Sequence, residues 1–188
     1  SPDPYLIKDV AGIQIGFIAL LQVTGKGIPS AHPDKVAGLK FEHPSKAIEK
    51  YSHLQGKADA LIALTHHSFI SDTLLAWRQG WLDVIIGGHC HTLIKEPKTY
   101  NNVLVTQAGD NLKNVGKITL LFKGNTLAER KAEMISLDNY EMEDPDIKML
   151  VNEYSDNPAL QRVIGKLPSP LRKKSELGCL FTDAIREN

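Results

Sequence analysis

The sequence is poor in features that would tie it to one environment. Only two cysteines, Cys90 and Cys179, occur among 188 residues, which is too few for a disulfide scaffold and leaves the redox compartment open. The longest apolar stretch, residues 13–23, contains glutamines and a glycine and is too short to span a bilayer. Lysine and arginine total 22, as do aspartate and glutamate, so charge does not favour a nucleic acid or an anionic membrane as a partner.

The amino terminus lacks the marks of a natural start. It begins at Ser1 rather than methionine, and it has no basic region followed by an apolar one, so no signal peptide is recognisable. We expect a fragment or a processed chain, and this end leaves the compartment open. What is present, 42% hydrophobic and 23% charged residues, is typical of a soluble globular protein.

Hydrophobic patterning predicts a chain that alternates between strands and helices. Two strands joined by a tight turn at residues 11–12 come first, and a long loop is expected at residues 24–40. Two later strands flank a short helix, as in a parallel pair with a crossover connection. The predicted strands are residues 5–8, 14–21, 60–64, 83–86, 103–106, 117–122 and 131–137, and the predicted helices are residues 44–55, 72–79, 145–154 and 176–186.

A change in composition after Asn157 divides the chain. Three prolines between residues 158 and 170 predict a linker, and the amphipathic helix that follows has no partner left in the chain. We therefore predict a first domain over residues 1–157. Residues 158–188 would hold the linker and the opening helix of a truncated second domain.

Histidines follow two neighbouring strands of the predicted sheet. His66 and His67 follow one strand, and His89 and His91 follow the next within a Gly-Gly-His-Cys-His run. The carboxyl ends of parallel strands meet at one edge, where α/β proteins keep their active sites. Neutral imidazole is a common ligand for zinc and other first-row cations. A single histidine at a strand end is more often structural, but this set predicts a metal site.

The glycines before these histidines have an expected conformational role. We expect Gly87 and Gly88 to let the backbone turn sharply and approach a ligand closely, with at least one of them in a conformation costly for other residues. In a locally extended backbone, side chains two residues apart point to one side. His89 and His91 can then share one centre while Cys90 points away.

Several segments around the histidines resemble the motifs of a known enzyme family. They are residues 63–66, 72, 75–76, 83–92, 105–109, 115–118 and 176–184. Their order and spacing resemble the later motifs of the calcineurin-like metallophosphoesterases, and within them the 5'-nucleotidase, UDP-sugar hydrolase and 2',3'-cyclic phosphodiesterase group. The resemblance covers nearly the whole chain, and its Gly-Gly-His-x-His core is fairly specific.

The resemblance implies a fold and a metal site. The fold would be α/β, part of a four-layer α-β-β-α sandwich. His66 and His89 would bind one divalent cation and His91 a second, and both cations would clamp the phosphate and activate the attacking water. Zinc, manganese, iron, cobalt and calcium are not distinguished. The family's Asp-x-His, bridging Asp and Gly-Asn-His motifs have no counterpart here, so no catalytic residue is assigned and the substrate-binding residues stay unknown.

Residues beside the histidines leave alternatives open. Asp72 is either a residue that orients a ligand histidine or the N-cap of a helix beginning at Thr73. Cys90 is either an oxidation-sensitive thiol or, as we prefer, a small buried hydrophobe. His67 could face the phosphate, although the neighbour of a ligand usually points the other way. Together with Asp72, the two glycines are the predicted supporting residues.

The sequence thus predicts a fragment of a metal-dependent 5'-nucleotidase-type phosphohydrolase, inactive on its own, with a role in nucleotide catabolism. The substrate would be a nucleotide or another small phosphoester. One alternative is a related phosphodiesterase or sulfur-ester hydrolase, and another is a non-catalytic binding module that retains the fold. We expect neither a nucleic-acid polymer as partner nor a membrane span, and an exposed sheet edge would allow a homodimer. The resemblance favours an exported, periplasmic or cell-surface protein.

Overall fold

The computed structural model of the chain describes residues 5–163, 166–167, 169–171 and 174–186. The chain divides into two units, Ser1–Tyr140 and Glu141–Asn188, and each is described by itself. The domain boundary expected after Asn157 concerns the family's domains and stays a prediction.

A six-stranded sheet with a parallel centre is the framework of the first unit. Its strands are β1 (Tyr5–Val10), β2 (Ile13–Leu21), β3 (Ala60–His66), β4 (Val84–Ile86), β5 (Lys98–Tyr100) and β6 (Val103–Thr106). Their spatial order is β1-β2-β3-β4-β6-β5. The four inner strands run parallel, and β1 and β5 pair antiparallel at the two edges. The predicted α/β fold with a parallel pair is confirmed in β3 and β4; β5 was not predicted.

Helices cover one face of this sheet. The chain forms α1 (Pro44–Ala47), continues as a 3₁₀ helix over Ile48–Gly56, and later forms α2 (Phe69–Arg78). Helical and strand residues form one buried core: Ile18, Leu20, Ile48, Leu54, Leu61, Ala63, Leu75, Ala76, Ile85, Val103 and Val105. Another short 3₁₀ helix, Pro33–Lys35, lies within the predicted loop. The helix predicted at residues 44–55 is therefore present, although most of it has 3₁₀ geometry.

A second, two-stranded sheet covers the opposite face. β7 (Asn114–Lys123) and β8 (Thr126–Ser136) form an antiparallel pair. Alternate side chains of a strand point to opposite faces, so Ile62 faces β7 and β8 while its neighbours on β3 face the helices. The contact consists of buried Ile62, Val84 and Leu104 with partly buried Ile118, Leu120 and Ala132. Helices, large sheet and small sheet are three layers of the expected four-layer sandwich.

The second unit contains three helices among its described residues. They are α3 (Pro145–Ser155), α4 (Pro158–Gln161) and α5 (Lys174–Arg186). Asp144 caps α3, because its side chain accepts hydrogen bonds from the backbone of Asp146 and Ile147. The predicted linker thus begins with a short helix, and Pro168 of that linker lies outside the described residues. In the described part of the chain, no helix combines the length and apolarity needed to cross a membrane.

Candidate metal centre

His66 and His89 meet at the carboxyl edge of the large sheet. His66 is the last residue of β3, and His89 lies in the segment that follows β4. His66 Nε2 and His89 Nδ1 are 3.1 Å apart, and the ring centroids are 4.8 Å apart in an edge-on arrangement. Both side chains are exposed. A cavity of about 190 Å³ adjoins the pair, with Pro29 and Ser30 of the long loop in its wall. The structure thus brings two of the three predicted histidines together.

His91 lies beside a different partner. Its Nδ1 is 3.7 Å from Asp110 Oδ2, and its side chain is 69% exposed. Within the described residues, no group of three or more histidine, cysteine, aspartate or glutamate side chains is close enough to hold a metal ion. A centre shared by His66, His89 and His91 therefore stays a prediction.

In the turn after β4, the histidines have strained backbone conformations and the glycines do not. His89 has φ of 75° and His91 has φ of 57°, the left-handed region that costs most residues free energy. Gly87 and Gly88 do not have positive φ. The expected sharp turn at a glycine is therefore wrong, and so is the extended backbone through His89 and His91.

Close packing explains one of the two glycines. A Cβ atom on Gly87 would collide with a carboxylate oxygen of Asp72 and lie 2.9 Å from Gln107 Nε2. A Cβ atom on Gly88 would lie 3.4 Å from His66 Nδ1 and from the Thr65 carbonyl oxygen, at the edge of ordinary contact. The close approach is thus real at Gly87, but it is made to the protein itself.

Asp72 lies beside the two residues that flank His66. It is 1% exposed, and its Oδ1 accepts a 2.7 Å hydrogen bond from Thr65 Oγ1. His67 is 3% exposed, and its Nδ1 lies 3.4 Å from the same oxygen without hydrogen-bond geometry. The N-cap of α2 is Ser68, whose side chain accepts from Ser71 N, so the capping role considered for Asp72 is wrong. Any support that Asp72 gives to His66 acts through Thr65 and His67.

Cys90 is exposed rather than a buried hydrophobe, so that preferred interpretation is wrong. Its thiol accepts from Phe69 N at 3.2 Å, contacts Thr92 Oγ1 at 3.1 Å and donates to Gln107 Oε1 at 3.1 Å. Partial burial raises the pKa of the Cys90 thiol, but hydrogen bonds, that with Thr92 the largest, outweigh it and lower the pKa below its usual value. The thiol therefore belongs to the polar contacts of the turn.

Gln107 is the residue of this site that sequence reasoning missed. It follows β6 directly and is 2% exposed. Its Nε2 donates to the Gly88 carbonyl at 2.8 Å, and its Oε1 accepts from Thr92 N at 2.7 Å. The available signal was a glutamine directly after a buried strand, at the edge where the histidines were expected.

The chemistry of the histidine pair fits a divalent cation. Two nitrogens bound to one tetrahedral zinc lie about 3.3 Å apart when each Zn–N distance is about 2.0–2.1 Å. The 3.1 Å separation between His66 Nε2 and His89 Nδ1 is close to that value. A cation bound to both nitrogens would replace the hydrogen bond between the rings. Exposure of both rings leaves room for further ligands.

Sequence comparison relates the chain to phosphoesterases. No family model matches it. It is similar to the trifunctional nucleotide phosphoesterase YfkN of Bacillus subtilis, with 26% identity over 157 residues that cover 80% of this chain and 11% of that protein. The chain spans between 11% and 41% of the length of the curated relatives that it matches.

Structure comparison gives the same relationship. The 5'-nucleotidase precursor of Thermus thermophilus is 26% identical with a TM-score of 0.70, over 84% of this chain and 34% of that one. The sulfate thiohydrolase SoxB of Thermus thermophilus is 18% identical with a TM-score of 0.74, over 86% of this chain and 30% of that one. The second likeness shows the fold alone. By sequence and fold together, the chain resembles nucleotide phosphoesterases and 5'-nucleotidases, in agreement with the family resemblance predicted from its motifs.

Proposed function

We propose that this chain contributes part of the metal centre of a nucleotide phosphohydrolase, with His66 and His89 as ligands of one divalent cation. The observation that carries the proposal is the 3.1 Å separation of their ring nitrogens at the carboxyl edge of a parallel sheet. The similarity to a protein named for nucleotide phosphoesterase activity supports the choice of reaction.

The proposal gives His91 to a second cation. Asp110, 3.7 Å away, would orient its ring in the way that carboxylates commonly orient metal-bound histidines. Two bound cations would supply the positive charge that holds a phosphate and stabilises charge on the transferred phosphoryl group. Imidazole nitrogen suits zinc, iron and cobalt better than calcium, so the histidines favour a transition metal.

Metal binding by the 188-residue chain is the direct test. Zinc affinity would be measured by competition with a coloured chelator, and cobalt binding by visible absorption. His66→Ala and His89→Ala are each expected to weaken zinc binding at least tenfold, because each removes one of two ligands. His32→Ala is the matched control, because His32 is an exposed loop histidine whose ring lies 3.7 Å from Asp34. Equal affinity in all four proteins would refute the assignment.

Catalysis is expected to need more than this chain. A two-metal mechanism uses carboxylates that hold the cations together and offset their repulsion, whereas neutral histidines cannot. In the described part of the chain, no such group of side chains surrounds His66 and His89. We expect no useful hydrolysis of AMP or a chromogenic phosphoester with manganese, zinc or cobalt. Robust turnover that disappears in His89→Ala would contradict this expectation.

A related sulfur-ester hydrolase is the second candidate function. A sulfate thiohydrolase shares its fold, with a TM-score of 0.74, and one fold can carry either chemistry. The histidines would bind cations in either enzyme, so the substrate distinguishes the two. Assays of the complete protein with AMP, a 2',3'-cyclic nucleotide and a thiosulfate ester would separate the candidates, and metal binding without turnover of any substrate would favour the non-catalytic module.

Assembly and location belong to the same proposal. β1 is an edge strand of the large sheet, and its Leu6 and Val10 are 59% and 46% exposed, so apolar surface at this edge favours self-association. We expect a homodimer of this chain, which light scattering after gel filtration would detect; a monomer at high concentration would exclude it.

Export is proposed from the similarity to a 5'-nucleotidase precursor, and fractionation of cells that express the complete protein would test it.

A further inference from the structure

Gln107 holds the histidine-bearing turn at both ends with one side chain. Its Nε2 bonds the Gly88 carbonyl just before His89, and its Oε1 bonds Thr92 N just after His91. The same Oε1 accepts from the Cys90 thiol between the two histidines. We propose that Gln107 is a positioning residue of the candidate metal centre, which sets the place of His89 relative to His66. The metal part of this inference rests on the proposed function.

The backbone of the sheet fixes Gln107 itself. Its carbonyl oxygen accepts from Ile94 N at 3.0 Å, and the carbonyl of the preceding Thr106 accepts from Gly87 N at 2.8 Å. The side chain is 2% exposed, so its rotamer is enclosed by neighbours. The Gln107 amide therefore extends from the end of a rigid strand, β6, to the turn that follows the neighbouring strand β4.

The turn needs such a restraint because its own backbone is strained. His89 and His91 both have left-handed φ, which L-residues avoid unless their surroundings impose it. Both side chains are exposed, so little packing holds them. Without the amide contacts, the turn is expected to relax, and His89 Nδ1 would leave its position 3.1 Å from His66 Nε2.

Only an amide meets both requirements at this position. The Gly88 carbonyl needs a donor and the Thr92 N–H needs an acceptor, and a glutamine side chain offers one of each. Gln107→Glu keeps the size and the acceptor but turns an oxygen towards the Gly88 carbonyl. Gln107→Met keeps the length and removes both hydrogen bonds. Thr106→Val is the matched control, because Thr106 is also 2% exposed and its hydroxyl makes no hydrogen bond to a described residue.

Amide hydrogen exchange tests the restraint without any metal. Exchange at Thr92 is expected to be at least tenfold faster in Gln107→Met and in Gln107→Glu than in wild type, because the turn opens. Exchange at Val105, a buried residue of β6, should match that of Thr106→Val and so report an intact fold. Unchanged Thr92 exchange in both variants would overturn the proposal. If Gln107→Met does not fold, Gln107→Glu alone decides.

Metal affinity and histidine NMR test the positioning. Zinc affinity is expected to fall by about 10–100-fold in the Gln107 variants, as for other residues that orient ligands, and to stay unchanged in Thr106→Val. The cobalt absorption spectrum should change in shape as well. Faster Thr92 exchange with unchanged zinc affinity would overturn the role in positioning. If the wild-type chain binds neither metal, the proposed function fails. The NMR contact between the rings of His66 and His89 then tests the positioning role by itself. Loss of this contact in the Gln107 variants would support the role, and retention of the contact would overturn the role.

Discussion

The two histidine-bearing segments reach the same point by different means. His66 ends a regular strand, and the residues on either side of it, Thr65 and His67, are buried next to Asp72. His89 lies outside the strands, with a strained backbone and an exposed side chain. One segment is placed by the hydrogen-bond ladder of the sheet, and the other by the side chain of Gln107.

This difference separates the stability of the fold from the accuracy with which the histidine rings are placed. A strand end inherits its position from a parallel ladder that the whole core supports, so single substitutions there act mainly on folding. A strained turn held by a few side-chain contacts has alternative conformations close in free energy. Changes near the turn should therefore alter the histidine pair at a smaller cost in stability. Four substitutions test this difference between the two segments.

Gly87→Ala is expected to lower the free energy of unfolding most, because Gly87 contacts both Asp72, beside the first segment, and Gln107, beside the second. The new methyl group would collide with Asp72 and press on Gln107 Nε2, and both side chains are enclosed. Overpacking of this kind costs about 1–3 kcal/mol, and we expect about 3 kcal/mol here. Urea unfolding followed by circular dichroism would measure it. If the free energy of unfolding falls by less than about 1 kcal/mol, Asp72 moves freely and does not fix the residues beside His66.

Thr65→Val should cost less and act on the His66 side alone. It removes the 2.7 Å hydrogen bond to buried Asp72 while keeping the side-chain volume. A buried acceptor that loses its partner costs about 1–3 kcal/mol, and we expect the free energy of unfolding to fall by about 2 kcal/mol. Thr106→Val, which breaks no hydrogen bond to a described residue, is the control for the methyl exchange. Equal unfolding free energies for the two variants would show that the hydrogen bond between Thr65 and Asp72 does not stabilise the fold.

His91→Gly is expected to stabilise the protein slightly. Glycine adopts φ of 57° without strain, whereas other residues pay about 1 kcal/mol or more. The contact with Asp110 that is lost spans 3.7 Å on the surface and contributes little. We expect the free energy of unfolding to rise by up to about 1 kcal/mol. A fall of that size would mean that the His91 ring holds the turn, against the dominance of Gln107.

Much of the fold was predictable, because its signals are local. Short runs of apolar residues predicted β3, β4 and β6, and the strand–helix–strand spacing predicted that β3 and β4 run parallel. β5 was missed because it has only three residues, two of them exposed and one a lysine. The start of α2 was misplaced because only Asp72 was considered as its cap, whereas the helix begins at Phe69 and Ser68 caps it.

The meeting of His66 and His89 was predictable, but its geometry was not. The Gly-Gly-His-x-His run identified the segment, and the strand ends explained why His66 and His89 meet. The backbone angles were not predictable, because glycine normally carries left-handed φ and here histidines do. Gln107 was missed because its partners are 15 and 19 residues away in sequence, and such a contact leaves no periodic pattern.

Gly88→Ala should have the smallest effect, and it completes the comparison with Gly87→Ala. Gly88 does not have positive φ, and its added Cβ atom would lie 3.4 Å from His66 Nδ1 and the Thr65 carbonyl oxygen, which is tolerable. Alanine also reduces the freedom of the unfolded chain, worth about 0.4–1 kcal/mol where the native backbone is compatible. The tight contact offsets that gain, so unfolding free energy should change by less than about 0.5 kcal/mol. Because the methyl group would touch the His66 ring, zinc affinity is the sharper measurement, and we expect it to fall less than tenfold. A large loss of stability would mean that Gly88 serves the turn through its conformation after all, and the strain assigned to the histidines would have to be shared with it.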